Sequence, residues 1–227
     1  CKIKIFPHTT AKLVCGIFKG DKMKFYFPEN YGALGDGKND DSRALQSAID
    51  EAEKNGGGTV VLESGKTYYS SSVIMKKNVE LHLQKGSVLK ATSDINGYFR
   101  PCDFINDETN TLIGNPVTGK PSFAFIYAYK ADNAAITGGG KIDANGHSFV
   151  KRKDKYYVTG DFYPRPTVMY FEACNHIVFE DFTVVDAPFW TLHPAGCDDV
   201  LISKRSPGHS LRDGRSRSAA DHSSICN

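Results

Sequence analysis

Residues 173–203 read ACNHIVFEDFTVVDAPFWTLHPAGCDDVLIS, and one short phrase occurs in them twice. Ala173-Cys174-Asn175-His176-Ile177-Val178 and Gly196-Cys197-Asp198-Asp199-Val200-Leu201 each set a small residue, a cysteine and a polar pair ahead of an aliphatic run. They start 23 residues apart. A related phrase, Ala131-Asp132-Asn133-Ala134-Ala135-Ile136, starts 42 residues before the first of these, close to twice that step. A period in the low twenties with one strand cluster per period is what stacked solenoid coils produce. Equivalent residues of successive coils then lie about 4.8 Å apart in ladders. Cys174 should therefore neighbour Cys197, and Asn175 should neighbour Asp198. A redox or metal role for the cysteine pair is the sharper reading; small buried thiols packed along a turn is the favoured one.

The pattern extends toward the N-terminus. VELHLQ (79–84), FAFIYAY (123–129), AAITG (134–138), VMYF (168–171), HIVFEDFTVV (176–185) and DVLIS (199–203) are strand-length runs rich in β-branched and aromatic residues, bounded by Gly, Asn and Asp. The clearest helix lies before them, in NDDSRALQSAIDEAEKNGGG. Asp40 or Asp41 can cap its first amides, Ala44, Leu45, Ala48, Ile49 and Ala52 share one face, and Gly56 to Gly58 stop it. A helix over 40–54 leading straight into a strand (TVVLESG, 59–65) can lie across the open end of a sheet stack, the cap that a solenoid core needs. The fold expected from this pattern is an all-β solenoid of parallel stacked coils with an N-terminal capping helix.

Composition agrees with a folded domain: 40% hydrophobic and 24% charged residues over 227, with 21 glycines. The net charge of +2 conceals an asymmetry. Residues 1–22 hold five Lys and one Asp, and 203–227 hold five Lys or Arg and two Asp. The body between them keeps 18 basic and 23 acidic residues, a net of −5. An acidic body argues against a nucleic-acid partner, which needs clustered cations to neutralise phosphates. No continuous apolar stretch suggests a membrane partner.

The two ends read differently from the body. Residues 1–22 lack the apolar core of a secretory signal. Lys19-Gly20-Asp21-Lys22-Met23 can be encoded AAA GGA GAT AAA ATG, a purine-rich ribosome-binding sequence ahead of a start codon, so 1–22 is expected to be an upstream extension and Met23 the first residue. Met23–Ile202 is the β-helix domain on this reading, and 203–227, rich in Ser and Arg, is a frameshifted or disordered tail. A start at Met23 without a signal implies a cytoplasmic location, with secretion left open. Of the six cysteines the body keeps Cys102, Cys174 and Cys197, an odd number without metal-ligand spacing, and reduced thiols follow.

The stretch NYGALGDGKNDDSRALQSAIDEAEKNGGGTVVLESGKTYYSSSVIMKKNVELHLQKGSVLKATSD (30–94) resembles the N-terminal signature of pectin-lyase-like β-helix proteins, in which Gly-Asp-Gly-x-x-Asp-Asp precedes the cap helix. Phage tailspikes and some polysaccharide lyases share it. GGGKIDANG (138–146) is similar to the turn G-x-G-x-I-D-G-x-G of glycoside hydrolase family 28, the polygalacturonase family, with Ala144 in place of a glycine. RPTVMYFEACNHIVFEDFTVVDAPFWTLHPAGCDDVLIS (165–203) resembles the coil pair that precedes the catalytic region in bacterial members.

That resemblance implies an all-β right-handed parallel β-helix with the capping helix at its N-terminal end, hydrolysis of α-1,4-galacturonosyl bonds in a pectin backbone with inversion, no cofactor, and an acidic polysaccharide or oligogalacturonide as partner. Inversion needs two carboxyl groups about 6.5–9.5 Å apart, one as acid and one activating water. The family motifs that supply them, Asn-Thr-Asp-Gly, an Asp-Asp pair, Gly-His-Gly and Arg-x-Lys, do not occur; Gly208-His209-Ser210 and Asp213-Gly214 do not match them. No catalytic residue is therefore assigned, and the acid and base are expected beyond residue 202. Asp181, Asp186, Asp198 and Asp199 are read as turn or ladder residues, and Asp143 as closing a turn with Gly138 to Gly140.

Three residues are candidates for lining a sugar site. Trp190 can stack on sugar C–H groups, and His193 can hydrogen-bond a uronate. Arg165 can meet a substrate carboxylate. Beside these stand plainer roles: volume filling by Phe189 and Trp190, a backbone contact for His193, and loop anchoring for Arg165 between Pro164 and Pro166. The run Lys151-Arg152-Lys153-Asp154-Lys155 is first of all a solvated loop face. Two other readings remain open: a non-catalytic tailspike- or adhesin-type coil stack, and a polysaccharide lyase with a Ca²⁺ site and a basic residue to take a proton.

Overall fold

The structure, a computed structural model, describes residues 3–5, 24–102, 120–149, 152–153, 158–159 and 165–204. The chain winds through successive coils, each laying one strand in each of up to three parallel sheets. After β1 (Ile3–Ile5), the first coil supplies β2 (Phe25–Tyr26) and β3 (Asp36–Asp40), followed by helix α1 (Ser42–Lys54). The second supplies β4 (Gly58–Leu62), β5 (Thr67–Ser70) and β6 (Val73–Met75), and the third β7 (Val79–Leu83), β8 (Val88–Ala91) and β9 (Ala124–Tyr129). The fourth supplies β10 (Ala135–Thr137) and β11 (Lys141–Asp143), then the short antiparallel pair β12 (Arg152–Lys153) and β13 (Val158–Thr159), then β14 (Thr167–Glu172). The fifth holds β15 (Asn175–Glu180), β16 (Thr183–Val185) and β17 (Leu192–Ala195), and β18 (Asp198–Ser203) opens a sixth.

Sheet A is ordered β2-β4-β7-β10-β15-β18-β1, sheet B β3-β5-β8-β11-β16, and sheet C β6-β9-β14-β17, with every pairing in them parallel. The all-β parallel β-helix expected from the repeat is what the chain forms. Side chains alternate between faces along each strand, and those turned inward fuse into one core. Leu62, Leu81, Leu83, Leu89, Ile136, Ile142, Phe171 and Phe179 are all buried within it.

The 23-residue step is one coil, as Asn175 pairs with Asp198 and Val178 with Leu201. The 42-residue step is not two coils. Tyr129 pairs directly with Glu172, and Ala135 with Val178, so the Ala131 and Ala173 phrases lie on adjacent coils. The extra residues fall in the chain between β11 and β14, and a second set falls between β8 and β9. In the second coil the corresponding link from sheet B to sheet C is only Ser71 and Ser72. Both excursions therefore emerge along the border of sheet C.

Helix α1 covers the first coil as its pattern requires. Ala44, Leu45, Ala48, Ile49 and Ala52 are its buried face, against the core that also holds Val60, Val73 and Leu81. The two candidate caps divide the work. Asp40 accepts from the Ser42 amide at 2.9 Å, at the start of the helix. Asp41, almost fully buried, turns its carboxylate back instead, to the amides of Leu34 (2.7 Å) and Gly35 (3.2 Å), while its carbonyl accepts from Leu45. The two carboxylates thus pin the loop 34–41 and the helix to each other. No helix among the described residues is long and apolar enough to cross a membrane.

Of the segment 1–22, expected to be an upstream extension, only Ile3–Ile5 is described. It lies parallel beside β18, with Ile3 opposite Val200 and Ile5 opposite Ile202. The tail is described only to Lys204.

Two glycines separate backbone strain from crowding. Gly56 and Gly138 both have left-handed φ, +88° and +96°, but a Cβ at Gly56 would meet nothing within 4 Å, whereas one at Gly138 would sit 2.2 Å from the Leu83 carbonyl oxygen of the neighbouring coil. Gly56→Ala should cost about 1 kcal/mol, the strain alone, and Gly138→Ala about 3 kcal/mol or more, because two coils must separate. Equal losses in urea unfolding midpoints would show that coil contact at Gly138 is not limiting.

Candidate functional site

The outward face of sheet C carries a run of aromatic residues that lie outside the main core. Along β14 the inward positions are Met169 and Phe171, which leaves Tyr170 and Glu172 on the outside. Register then aligns Ile74, Tyr127, Tyr170 and His193 in one row across four coils, with Tyr129, Glu172 and Ala195 in the next. The rings touch along this row. Tyr127 and Tyr170 are stacked with centroids 5.9 Å apart, and Tyr170 meets His193 at 5.0 Å. Trp190 lies 4.6 Å from His193 at one end, and Phe99 stacks on Tyr127 at 4.4 Å toward the other.

Backbone contacts hold the two end rings. Phe99 donates its amide to Ser72 Oγ (2.6 Å) and its carbonyl accepts from Ala124, which sets its ring over Tyr127. The Trp190 carbonyl accepts from the Val168 amide at 2.8 Å. The middle of the row is packed and its ends are open. Tyr170 is 1% exposed, whereas Phe99 is 40% and Trp190 52% exposed.

The three candidates from sequence converge at one end of this row. Trp190 contacts His193, Phe189 stacks on Trp190 at 5.9 Å, and the Arg165 guanidinium lies over the Phe189 ring at 5.0 Å. Arg165 Nε is buried without a hydrogen-bond partner among the described residues. Four further residues of the face, Phe99, Tyr127, Tyr170 and Glu172, are absent from the sequence reading. FAFIYAY and VMYF each contain an outward Tyr, but these line up only at a 43-residue offset. Taking that spacing as two coils hides the match.

Ionisation along the face is set by burial and by one carboxylate. Glu172 forms an ion pair with Lys120 at 2.6 Å. Burial, reinforced by the Glu172 charge, pushes the Tyr127 hydroxyl up to about 12 and moves Tyr170 in the same direction. Both stay neutral hydrogen-bonding groups near pH 7. Burial alone lowers His193 below the usual histidine value, so its neutral imidazole is favoured.

The aspartates set aside in the sequence lie away from this face. Asp181 and Asp186 flank β16 with left-handed φ of 69° and 52°, and Asp186 accepts from the His147 amide at 3.1 Å and lies 2.5 Å from its Nδ1. Asp199 lies 2.8 Å from His176 Nδ1, and Asp198 is the ladder partner of Asn175. Asp143 closes a turn with Asn145, whose amide it accepts at 3.1 Å, rather than with Gly138 to Gly140 as expected. The glycines are held by the previous coil instead, Gly140 donating to the Leu83 carbonyl. The basic run 151–155 lies largely outside the described residues; Arg152 and Lys153 pair in backbone with Thr159 and Val158.

Comparison with known proteins adds ancestry to this geometry. Residues 29–152 match the family described as rhamnogalacturonase A/epimerase, pectate lyase-like. The chain belongs to that family. Within its circle of relatives, a probable polygalacturonase of Vitis vinifera is 24% identical over 179 residues, 76% of this chain and 34% of its own length. A capsule-specific depolymerase of Klebsiella phage KN3-1 is 35% identical over 85 residues, 33% of this chain and 11% of the phage protein. The chain thus spans about a third of one of these curated relatives and about a tenth of the other. Among solved structures, an exopolygalacturonase from Thermotoga maritima superposes with a TM-score of 0.61 at 21% identity, over 87% of this chain and 52% of that one. The resemblance to family 28 and to pectin-lyase-like coils is borne out, and this pectate lyase-like chain has the fold of the polygalacturonases.

Because burial lowers His193, the unfolded chain binds its proton more readily than the folded one. Its contribution to stability is whole above about pH 6.5 and is lost as the pH falls through the lower folded value. His193→Gln should flatten part of the decline in melting temperature between pH 7 and pH 5, and the His193 ring proton should titrate below 6.5 by NMR. An ordinary or raised value would mean that the site is wetter or more negative than the packing implies.

Proposed function

We propose that the outward face of sheet C is the binding groove for a galacturonan-type pectin backbone, and that the protein acts in inverting hydrolysis of such a polymer. The observation that carries this reading is the row of rings from Phe99 through Tyr127, Tyr170 and His193 to Trp190, set on one rigid sheet by strand register. The exposed rings of Phe99 and Trp190 can stack on sugar C–H surfaces and the half-buried His193 imidazole can supply a hydrogen bond, while the buried Tyr127 and Tyr170 hold the row in place. The pectin-degrading names of the grapevine and Thermotoga proteins support the choice of polymer.

Hydrolysis itself needs an acid and a base about 6.5–9.5 Å apart. Among the described residues this face offers one carboxylate, Glu172, and it is held by Lys120. The described coils are accordingly read as the part of the groove that grips the chain, without the reacting pair. The same observation is open to a second reading, a non-catalytic carbohydrate-binding stack of tailspike or adhesin type. The two differ in whether a longer gene product carries the missing carboxylates.

Trp190, the single tryptophan, is half exposed at the end of the row and reports on the groove directly. Titration of residues 1–227 with hexagalacturonate should shift and enhance Trp190 emission saturably, while a reducing-sugar assay on polygalacturonate should detect no turnover. Silent fluorescence with no competition from unlabelled polymer would refute the groove. Heat-labile hydrolysis would show that Glu172 or an aspartate set aside above is catalytic.

A further inference from the structure

The row on sheet C does not end at bare surface on its N-terminal side. Ile74 and Phe99, which border Tyr127, also line a cleft of about 540 Å³ whose opposite wall is α1, with Arg43, Gln46 and Ser47 facing Ser72. The cleft is therefore a continuation of the groove under the edge of the capping helix. Its floor is fixed, because the Gln46 side chain is spent on Ile74 alone in backbone terms, accepting from its amide at 2.9 Å and donating to its carbonyl at 3.0 Å.

The charges in and beside the cleft are unequally committed. Asp50, its carboxylate, accepts from Gln46 at 2.9 Å and lies 3.9 Å from Lys76, which also reaches Glu53 at 3.8 Å. Lys54 lies 3.7 Å from Glu51. Arg43 is exposed and has no ion pair or hydrogen bond among the described residues. A planar guanidinium without an ion pair or hydrogen bond among the described residues, lining the same cleft as the partly exposed Phe99 and as Ser47, suits one carboxylated sugar ring: stacking on the aromatic, with the carboxylate taken by the Arg fork.

Building on the groove reading, we infer that this cleft is a subsite for the end residue of an acidic polysaccharide, with Arg43 recognising its carboxylate and Phe99 its ring. From Ile74 to His193 is three strand steps, about 14 Å. A chain several sugars long would reach from Trp190 to the helix, and the capping helix would mark where the groove stops. The helix would then do two jobs with two faces, its apolar side closing the core and its polar side ending the substrate path.

Calorimetric titration of the 227-residue protein with hexagalacturonate and with its fully methyl-esterified form separates this from the groove itself. Arg43→Ala should weaken the acid hexamer about tenfold, the loss expected for one charge-assisted contact, and leave the ester unchanged. Phe99→Ala should weaken both, and His193→Ala should weaken both through the groove. Arg43→Gln, with far-UV circular dichroism as a check on the helix, guards against loss of fold. If Arg43→Ala binds the acid hexamer like the parent while His193→Ala does not, the cleft is no subsite and the groove stands. An equal loss on acid and ester would overturn carboxylate recognition. If His193→Ala and Phe99→Ala are also without effect, the groove falls with it.

Discussion

A strand in a parallel stack has its amides and carbonyls satisfied only when another strand lies on each side, and its inward side chains buried only when the coil closes around them. Every feature of this chain follows from meeting that condition rung by rung. Register cannot slip, because a shift by one residue would turn Phe171 and Phe179 outward and Tyr170 inward. At the first coil the condition is met by α1, whose apolar face substitutes for a missing rung. At the far end β1 lies along β18, with two isoleucines at the register positions of Val200 and Ile202.

The same constraint produces the candidate site. Locked register repeats an outward position at each strand step, so an aromatic residue placed once per coil becomes a continuous row without further design. Long insertions do not disturb it so long as they leave and return at the same point of the coil. Both excursions do so, between sheets B and C. They put Phe99, from one of them, and Arg165, at the end of the other, beside the row.

What could be read from the sequence tracks how local the cause is. The helix, its buried face, most of the strand runs and the 23-residue step depend on neighbours in the chain, and they appear in the structure as expected; HIVFEDFTVV instead divides at Asp181 into β15 and β16, in different sheets. Asp41 was legible only as a cap, because its bonds to Leu34 and Gly35 require the loop to fold back. The 42-residue step was misread because an insertion and a second coil are alike in sequence when their lengths coincide. That one ambiguity concealed Tyr127 and Tyr170, since their alignment exists only in the correct register. Trp190, His193 and Arg165 were found by residue type, and their convergence around Phe189 was not foreseeable.

The central claim is that an acidic polysaccharide lies along the outer face of sheet C, across the strands. Hydrogen exchange measured by mass spectrometry with and without saturating hexagalacturonate tests it over the whole stack at once. Slower exchange in peptides covering 97–99, 124–129, 167–172 and 190–195, with sheet B peptides 67–70, 88–91 and 183–185 unchanged, is the result this account predicts. Protection confined to sheet A or sheet B, or none in the presence of demonstrated binding, would contradict it.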